Sequence, residues 1–124
     1  MSKKRILVID DEPSITRLLK LNLEYNGNYT VREENSGPRS IAAIKEFKPD
    51  LILLDIMMPG LDGSEVATRL QDDPALKNIP VVFLTAAVKK AEVGAHEGLI
   101  GGLPYLAKPV DIDEVVACIE KHLK

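Results

Sequence analysis

The chain has 124 residues, of which 45% are hydrophobic and 28% are charged, and its formal net charge is −3. This length suits one domain, residues 1–124, with its own apolar core, and a single cysteine excludes a disulfide framework. The acidic balance supplies no basic surface for nucleic acid, so direct binding to DNA is not expected. No apolar run approaches the roughly 18 residues of a membrane span. The N-terminus also lacks a signal-peptide core, which predicts a cytoplasmic protein with no membrane contact.

Short apolar runs alternate with amphipathic stretches along the chain. The runs predict strands near 5–10, 28–33, 51–55, 80–85 and 103–107, and the amphipathic stretches predict helices near 13–25, 37–47, 63–72, 87–98 and 111–123. Strands that alternate with helices in this way form βαβ units and a parallel sheet, so the predicted fold class is α/β.

The second predicted strand differs from the others. Residues Tyr29 to Glu33 are half polar, whereas the first, third and fourth runs are almost entirely aliphatic. Because parallel strands that are covered on both faces are aliphatic throughout, the second strand is expected at an edge of the sheet. Right-handed crossovers then predict a doubly wound, five-stranded parallel sheet with the strand order 2-1-3-4-5.

The helix predicted near 87–98 is the weakest of the five. It has few large apolar residues, and an interior glycine such as Gly94 costs roughly 0.5–1 kcal/mol relative to alanine. We expect it to be the easiest helix to shift. The aromatic side chains of Tyr25 and Phe47 are expected to pack on the faces of their own helices.

Polar side chains follow four of the predicted strands. Asp10 and Asp11 follow the first, Asp55 closes the third, Thr85 closes the fourth and Lys108 follows the fifth. Ligands of an open parallel sheet bind at the carboxyl ends of its strands. Three carboxylates, a hydroxyl and an ammonium are therefore expected to converge at one rim.

This set of groups favours phosphoryl transfer. Carboxylates in one cleft repel each other, and a hard cation with oxygen ligands relieves the repulsion, so Mg²⁺ is the expected occupant. An oxygen of Asp55 would attack the phosphoryl group, Lys108 would pair with a phosphoryl oxygen, and Thr85 would donate a hydrogen bond to another.

Each of these residues also has a plainer interpretation. The Asp10-Asp11 pair could simply cap the first helix, Asp55 could be a turn acid, Thr85 a strand end and Lys108 a solvated loop base. The coincidence of all of them at four strand ends favours the functional interpretation.

Four segments together match a known family pattern. They are Val8-Ile9-Asp10-Asp11-Glu12, Leu54-Asp55-Ile56-Met57-Met58-Pro59-Gly60-Leu61-Asp62-Gly63, Leu84-Thr85-Ala86 and Tyr105-Leu106-Ala107-Lys108-Pro109. On these motifs the whole chain resembles a receiver domain of the bacterial response regulators. The resemblance implies a flavodoxin-like, doubly wound (βα)5 fold with the strand order given above.

The resemblance also implies a role for each site residue. Asp55 is then the phosphoacceptor, assisted by Thr85 and Lys108. The Mg²⁺ site takes Asp55, Asp11 as a direct ligand, Asp10 acting largely through water, and the backbone carbonyl of Met57. Thr85 and Tyr105 are the switch residues, and a cis peptide bond precedes Pro109.

Function follows from the same resemblance. The domain would receive its phosphoryl group from a phosphohistidine on a sensor histidine kinase or a histidine phosphotransfer protein. It would then remodel the surface of the helix 87–98, the strand 103–107 and the C-terminal helix to control a downstream protein or an effector domain absent from the chain. It would have only intrinsic self-phosphorylation and autodephosphorylation activity, and weak dimerisation on phosphorylation stays open.

One segment departs from the family pattern. Residues Gly98 to Pro104 are more apolar than the usual sequence before the switch aromatic, and the interval from Thr85 to Lys108 is about one residue longer than expected. This segment is therefore the least certain part of the predicted fold.

Three other functions compete with a phosphorylated switch. An aspartate-nucleophile phosphohydrolase would use the same groups, but it wants its nucleophile on the first strand and a second aspartate where Glu12 stands. A flavin-binding domain needs a phosphate loop after the first strand, which this chain lacks. A receiver fold that serves as a constitutive adaptor needs no phosphorylation.

Overall fold

The computed structural model describes residues 3–60, 62–85, 99–100 and 103–123, with residues 99–100 described by their backbone. The strands and helices in these ranges are β1 (Lys4–Ile9), α1 (Pro13–Tyr25), β2 (Tyr29–Glu34), α2 (Ser40–Phe47), β3 (Leu51–Asp55), α3 (Gly63–Asp72), β4 (Val81–Thr85), β5 (Leu99–Ile100), β6 (Leu103–Ala107) and α4 (Ile112–His122). The helix predicted near 87–98 lies outside the described residues.

Five parallel strands form the sheet in the order β2-β1-β3-β4-β6. Because β6 is the fifth predicted strand, this arrangement confirms the predicted order 2-1-3-4-5. The half-polar β2 lies at the edge, as predicted. Successive strands pair in register, so that Asp55 lies opposite Leu84 and Thr85 lies opposite Ala107.

A two-residue strand that the sequence analysis did not predict lies outside β6. Leu99 pairs with Pro104 and Ile100 with Leu103, antiparallel. The sequence signal for this hairpin was available, because two glycines separate two short apolar runs. This pairing places an extra edge strand in the segment that departs from the family pattern.

Two apolar clusters cover the two faces of the sheet. Alternate residues of β1 and β3 point to opposite faces, which is why both strands are aliphatic throughout. On one face they meet α2 and α3, through residues that include Ile44, Val66 and Leu70. On the other face they meet α1 and α4, through residues that include Leu19, Leu23, Val115 and Ile119.

The two aromatic predictions have different outcomes. Phe47 packs against the cluster under α2, which confirms its prediction. Tyr25 is 94% exposed, so the prediction that it packs on its helix was wrong. The buried stripe of α1 ends at Leu23, and the last residue of the helix points to solvent.

Gly63 lets the first turn of α3 contact the backbone that follows β3. Its N–H donates a hydrogen bond of 2.7 Å to the carbonyl of Ile56. A Cβ at this position would overlap the carbonyl oxygen of Asp55 and lie 2.9 Å from the Asp55 carbonyl carbon and the Ile56 Cα. Only glycine fits, because the atoms in the way belong to the backbone.

Replacement of Gly63 by alanine is therefore expected to destabilise the domain. Overpacking of a buried site costs typically about 1–3 kcal/mol, and here the clash falls on the backbone that carries Asp55. Urea unfolding measures the change, and Ser64→Ala at the exposed next position serves as the control, with an expected effect within about 0.5 kcal/mol. Equal unfolding midpoints for the two variants would contradict the prediction.

Candidate functional site

The predicted rim residues come together at the carboxyl edge of the sheet. Asp10 follows β1, Asp55 ends β3, Thr85 ends β4 and Lys108 follows β6. Asp10, Asp55 and Thr85 are buried, with exposed fractions of 0%, 4% and 2%, and the Lys108 side chain is 12% exposed. Charged groups are rarely buried to this degree unless they are paired.

Lys108 is the positive centre of the site. Its Nζ lies 2.6 Å from Asp10 Oδ2, 3.5 Å from Asp55 Oδ1 and 3.9 Å from a carboxylate oxygen of Glu12. The Lys108 backbone N–H donates to the carbonyl of Thr85 at 2.8 Å, and the peptide bond to Pro109 is cis, as the resemblance implied. Sequence reasoning missed Glu12 as a third acid beside the ammonium.

Asp10, Asp11 and Asp55 form a compact acidic cluster. One carboxylate oxygen from each lies within 4.8 Å of the other two. Asp10 Oδ1 accepts the N–H of Glu12 at 2.9 Å. Asp10 Oδ2 is buried and is paired with the Lys108 ammonium at 2.6 Å. Three converging carboxylate oxygens beside a single ammonium fit a hard divalent cation.

The backbone after β3 also contacts the Asp55 side chain. The N–H of Met57 donates to Asp55 Oδ1 at 3.3 Å. Met57 is 65% exposed, so it is not part of the core. The role of its carbonyl as a metal ligand stays a prediction.

Burial and the neighbouring charge of Asp10 raise the pKa of Asp55 to about 7. A hydrogen bond with Asp11 contributes to this rise, while Lys108 and the Met57 N–H act in the opposite direction. For Lys108, burial alone would lower the pKa, but the adjacent Asp10, with Asp55 and Glu12, raises it overall. One ammonium is thus shared among acids whose repulsion it does not cancel.

Tyr105 lies next to this group but not in it. It pairs with Phe83 across β4 and β6, and its ring packs against the cluster under α2 and α3. Its hydroxyl oxygen is buried and has no hydrogen-bond partner in the described part of the chain.

Comparison with known proteins identifies the family. The family model described as "response regulator receiver domain" matches residues 6–120. The chain belongs to the response regulator receiver family. This receiver family acts in two-component signalling, and its members are signalling receivers and not classical enzymes.

Several relatives and solved structures are similar to this receiver. It is 38% identical to the DNA-binding dual master transcriptional regulator RpaA of Synechocystis sp., over 97% of this chain and 49% of RpaA. It is 44% identical to the response regulator PleD of Caulobacter vibrioides, over 86% of this chain and 23% of PleD. The structure of the Francisella response regulator 1452 receiver domain superposes with a TM-score of 0.82 and 30% identity, covering 97% and 96% of the two chains.

The receiver spans half or less of the length of these two curated relatives. Within the described ranges, no helix is both long and apolar enough to cross a membrane.

The raised pKa of Asp55 predicts a pH-dependent effect of the Asp55→Asn substitution on stability. The folded protein holds the Asp55 proton more tightly than the unfolded chain does, so this group contributes stability at low pH that is lost as the pH rises toward 7. Without metal, Asp55→Asn is expected to raise the free energy of unfolding by about 1–3 kcal/mol at pH 8 and by much less at pH 4.

Urea unfolding in EDTA at the two pH values measures this effect. Asp72→Asn, which removes an exposed acid at the end of α3, is the matched control and should show no comparable pH dependence. The prediction would be wrong if Asp55→Asn changed the free energy of unfolding by the same amount at pH 4 and pH 8. That result would mean that folding does not raise the pKa of Asp55.

Proposed function

We propose that this chain is a phosphoacceptor switch of a two-component phosphorelay, in which Asp55 receives a phosphoryl group from a phosphohistidine in a Mg²⁺-dependent reaction. The observation that carries the proposal is the position of Asp55: a buried carboxylate at the end of β3, within the acidic cluster and 3.5 Å from the Lys108 ammonium. The donor is a sensor histidine kinase or a histidine phosphotransfer protein.

Transfer needs an ionised Asp55. One of its oxygens forms a bond to phosphorus while the bond from phosphorus to the donor imidazole nitrogen breaks, and the imidazole keeps the electron pair. Because Lys108 favours the ionised form of Asp55, it makes the nucleophile available as well as attracting the phosphoryl oxygens.

Mg²⁺ would be held by Asp10, Asp11, Asp55 and the carbonyl of Met57. When bound, it neutralises charge on the phosphoryl oxygens. The three carboxylates supply the oxygen ligands that this ion prefers, and their mutual repulsion favours its binding.

The phosphoryl group would then act as an electrostatic switch. It adds about −1.5 to −2 charge and three acceptor oxygens, which compete with Asp10 for Lys108 and attract the hydroxyl of Thr85. Thr85 shares a backbone hydrogen bond with Lys108, so a shift at the end of β4 bears on the start of the loop after β6.

Tyr105 is the second part of the proposed switch. Tyr105 lies two residues before Ala107, which pairs with Thr85, so the aromatic ring and the switch hydroxyl lie on neighbouring strands. Rotation of Tyr105 together with movement of Thr85 would change the surface of residues 87–98, β6 and α4. Such coupling is typically worth about 1–3 kcal/mol, enough to bias an existing equilibrium.

The exposed face of α1 is the proposed docking surface for the phosphodonor. Leu18, Leu21 and Tyr25 are 55%, 60% and 94% exposed and recur at helical spacing. α1 begins two residues after Asp11, so a protein that presents a phosphohistidine to Asp55 also covers the neighbouring turns of this helix. Apolar side chains in that position would add contact area for a protein donor. A small-molecule donor that reaches Asp55 would not touch them.

The output is proposed to lie outside the described domain. RpaA is named as a DNA-binding transcriptional regulator, and this chain matches about half of it. By analogy, the phosphorylated surface controls a downstream protein or an attached effector domain, and any contact with DNA belongs to that effector. Weak dimerisation through the same surface on phosphorylation is part of this proposal.

Incubation with acetyl phosphate tests the phosphoacceptor directly. Intact mass should show a single phosphoryl adduct on the parent in Mg²⁺, little or none in EDTA, and none on Asp55→Asn. The matched acid variant Asp72→Asn should be modified like the parent, because Asp72 is exposed on α3 and distant in sequence from the cluster.

Three outcomes would contradict the proposal. An adduct that persists on Asp55→Asn would mean that another residue accepts the phosphoryl group. No adduct on the folded parent in saturating Mg²⁺ would favour a constitutive adaptor, and turnover of generic phosphomonoesters would favour a phosphohydrolase.

The docking surface predicts a separation between protein and small-molecule donors. Leu21→Ser is expected to slow phosphoryl transfer from a histidine kinase that phosphorylates the parent by about fivefold to tenfold, since a single interface contact can be worth about 1 kcal/mol or more. The rate with acetyl phosphate should stay unchanged, because Leu21 is remote from the acids.

Rapid-quench transfer assays measure both rates, and Ala42→Ser on the exposed side of α2 is the control. Equal slowing with kinase and acetyl phosphate would indicate damage to the site, and no slowing with the kinase would exclude this part of α1 from the docking surface.

A further inference from the structure

Asn35, which the sequence analysis did not single out, contacts the peptide group that joins two of the acids. It follows β2, and its side-chain amide donates hydrogen bonds to the carbonyl oxygen of Asp10 at 2.8 Å and to the hydroxyl oxygen of Thr16 at 3.0 Å. The N–H of Asp10 donates to the carbonyl of Glu34 at 3.0 Å. The backbone of Asp10 is thus held on both sides by the end of β2 and the residue after it.

The direction of each hydrogen bond is fixed by its acceptors. A backbone carbonyl only accepts, so the NH₂ group of Asn35 must face Asp10. The Thr16 hydroxyl has two acceptors within reach, Glu33 Oε1 at 2.9 Å and the carbonyl of Pro13 at 3.1 Å, so it donates its proton to them and keeps a lone pair for Asn35. Thr16 is fully buried, which shields its end of this relay from competing water, whereas Asn35 itself is exposed.

The Asp10–Asp11 peptide matters because of where the two side chains have to point. In an extended chain, consecutive side chains project to opposite sides. The carboxylates of Asp10 and Asp11 nevertheless lie in one cluster with Asp55. The chain therefore has to leave extended geometry between them, and Asp11 lies in a bend. The carbonyl that Asn35 holds belongs to the peptide at this bend.

We propose that Asn35, supported by Thr16, is a positioning residue that fixes the Asp10–Asp11 peptide so that both carboxylates face one cation. This inference rests on the proposed function, in which that cation is Mg²⁺. Asn35 acts through the backbone of Asp10 and contributes no ligand atom of its own. Outer contacts that orient metal ligands typically change metal affinity about 10-fold to 100-fold when they are removed.

The test is the Mg²⁺ affinity of Asn35→Leu, which keeps a similar volume and removes both donors. Titration of the isotopically labelled full chain with Mg²⁺, followed through backbone amide resonances, gives the dissociation constant without any phosphoryl transfer. The expected result is a dissociation constant raised about 10-fold or more. The spectrum away from the rim should remain like that of the parent, because Asn35 is a surface residue.

Asn28→Leu is the matched control. Asn28 is also exposed, lies just before β2, and its side-chain amide donates to Asn26 at 2.6 Å. Its substitution should leave the dissociation constant within about twofold of the parent, since it contacts neither loop that carries the acids. Thr16→Val, which removes the support but leaves the bond to Asp10, should give a loss in the same direction that is smaller than that of Asn35→Leu.

The outcomes separate this inference from the function on which it rests. Mg²⁺ binding by the parent with an unchanged constant for Asn35→Leu, or with an equal loss for Asn28→Leu, would overturn the positioning role and leave the proposed function intact. No Mg²⁺ binding by the parent would overturn both. If Asn35→Leu does not fold, Asn35→Ala, which adds no bulk, replaces it. The same criteria apply: a dissociation constant raised about 10-fold or more, against a change within about twofold for the Asn28 control.

Discussion

The burial of negative charge beside a single ammonium is the constraint on which the rim depends. Asp10 and Asp55 are nearly inaccessible to water, and Lys108 lies within 3.5 Å of both. Burial first, and then the charge of Asp10, which the one ammonium does not offset, raise the pKa of Asp55 to about 7. A proton or a divalent cation relieves this repulsion, which makes the site sensitive to its occupant.

The excess of negative charge around Lys108 also bears on the proposed response to phosphorylation. In the unmodified domain, the closest partner of Lys108 is Asp10, at 2.6 Å, and Asp55 is more distant. A phosphoryl group on Asp55 would add negative charge next to the longer of these two contacts, and would therefore attract the ammonium away from Asp10. Because the backbone of Lys108 is bonded to Thr85, a change in that balance reaches β4 and β6 together.

Backbone contacts keep the acids in place against their own repulsion. Gly63 allows the first turn of α3 to lie against the backbone of Asp55 and Ile56, and its N–H donates a hydrogen bond to the carbonyl of Ile56. On the other side of the site, Asn35 holds the carbonyl of Asp10. The atoms in these two contacts do not titrate, whereas the carboxylates of the site do.

Local sequence patterns determined the strands, their order and the set of residues at the rim. Aliphatic runs that end in Asp10, Asp55 and Thr85 specify both the buried strands and the edge at which polar groups collect, because parallel strands end at one side of a sheet. The half-polar character of β2 was likewise enough to place it at the edge. The hairpin of β5 with β6 was missed although its glycine pair was visible in the sequence.

Tertiary structure alone decided how the rim groups interact. The preference of Lys108 for Asp10, the raised pKa of Asp55 and the bond from Asn35 to a residue 25 positions earlier depend on distances between separate elements. Periodicity reports which face of a strand or helix is buried, but not the distances between atoms that meet across the sheet. Those distances follow from the packing of whole elements, and in a buried site they determine the electrostatics.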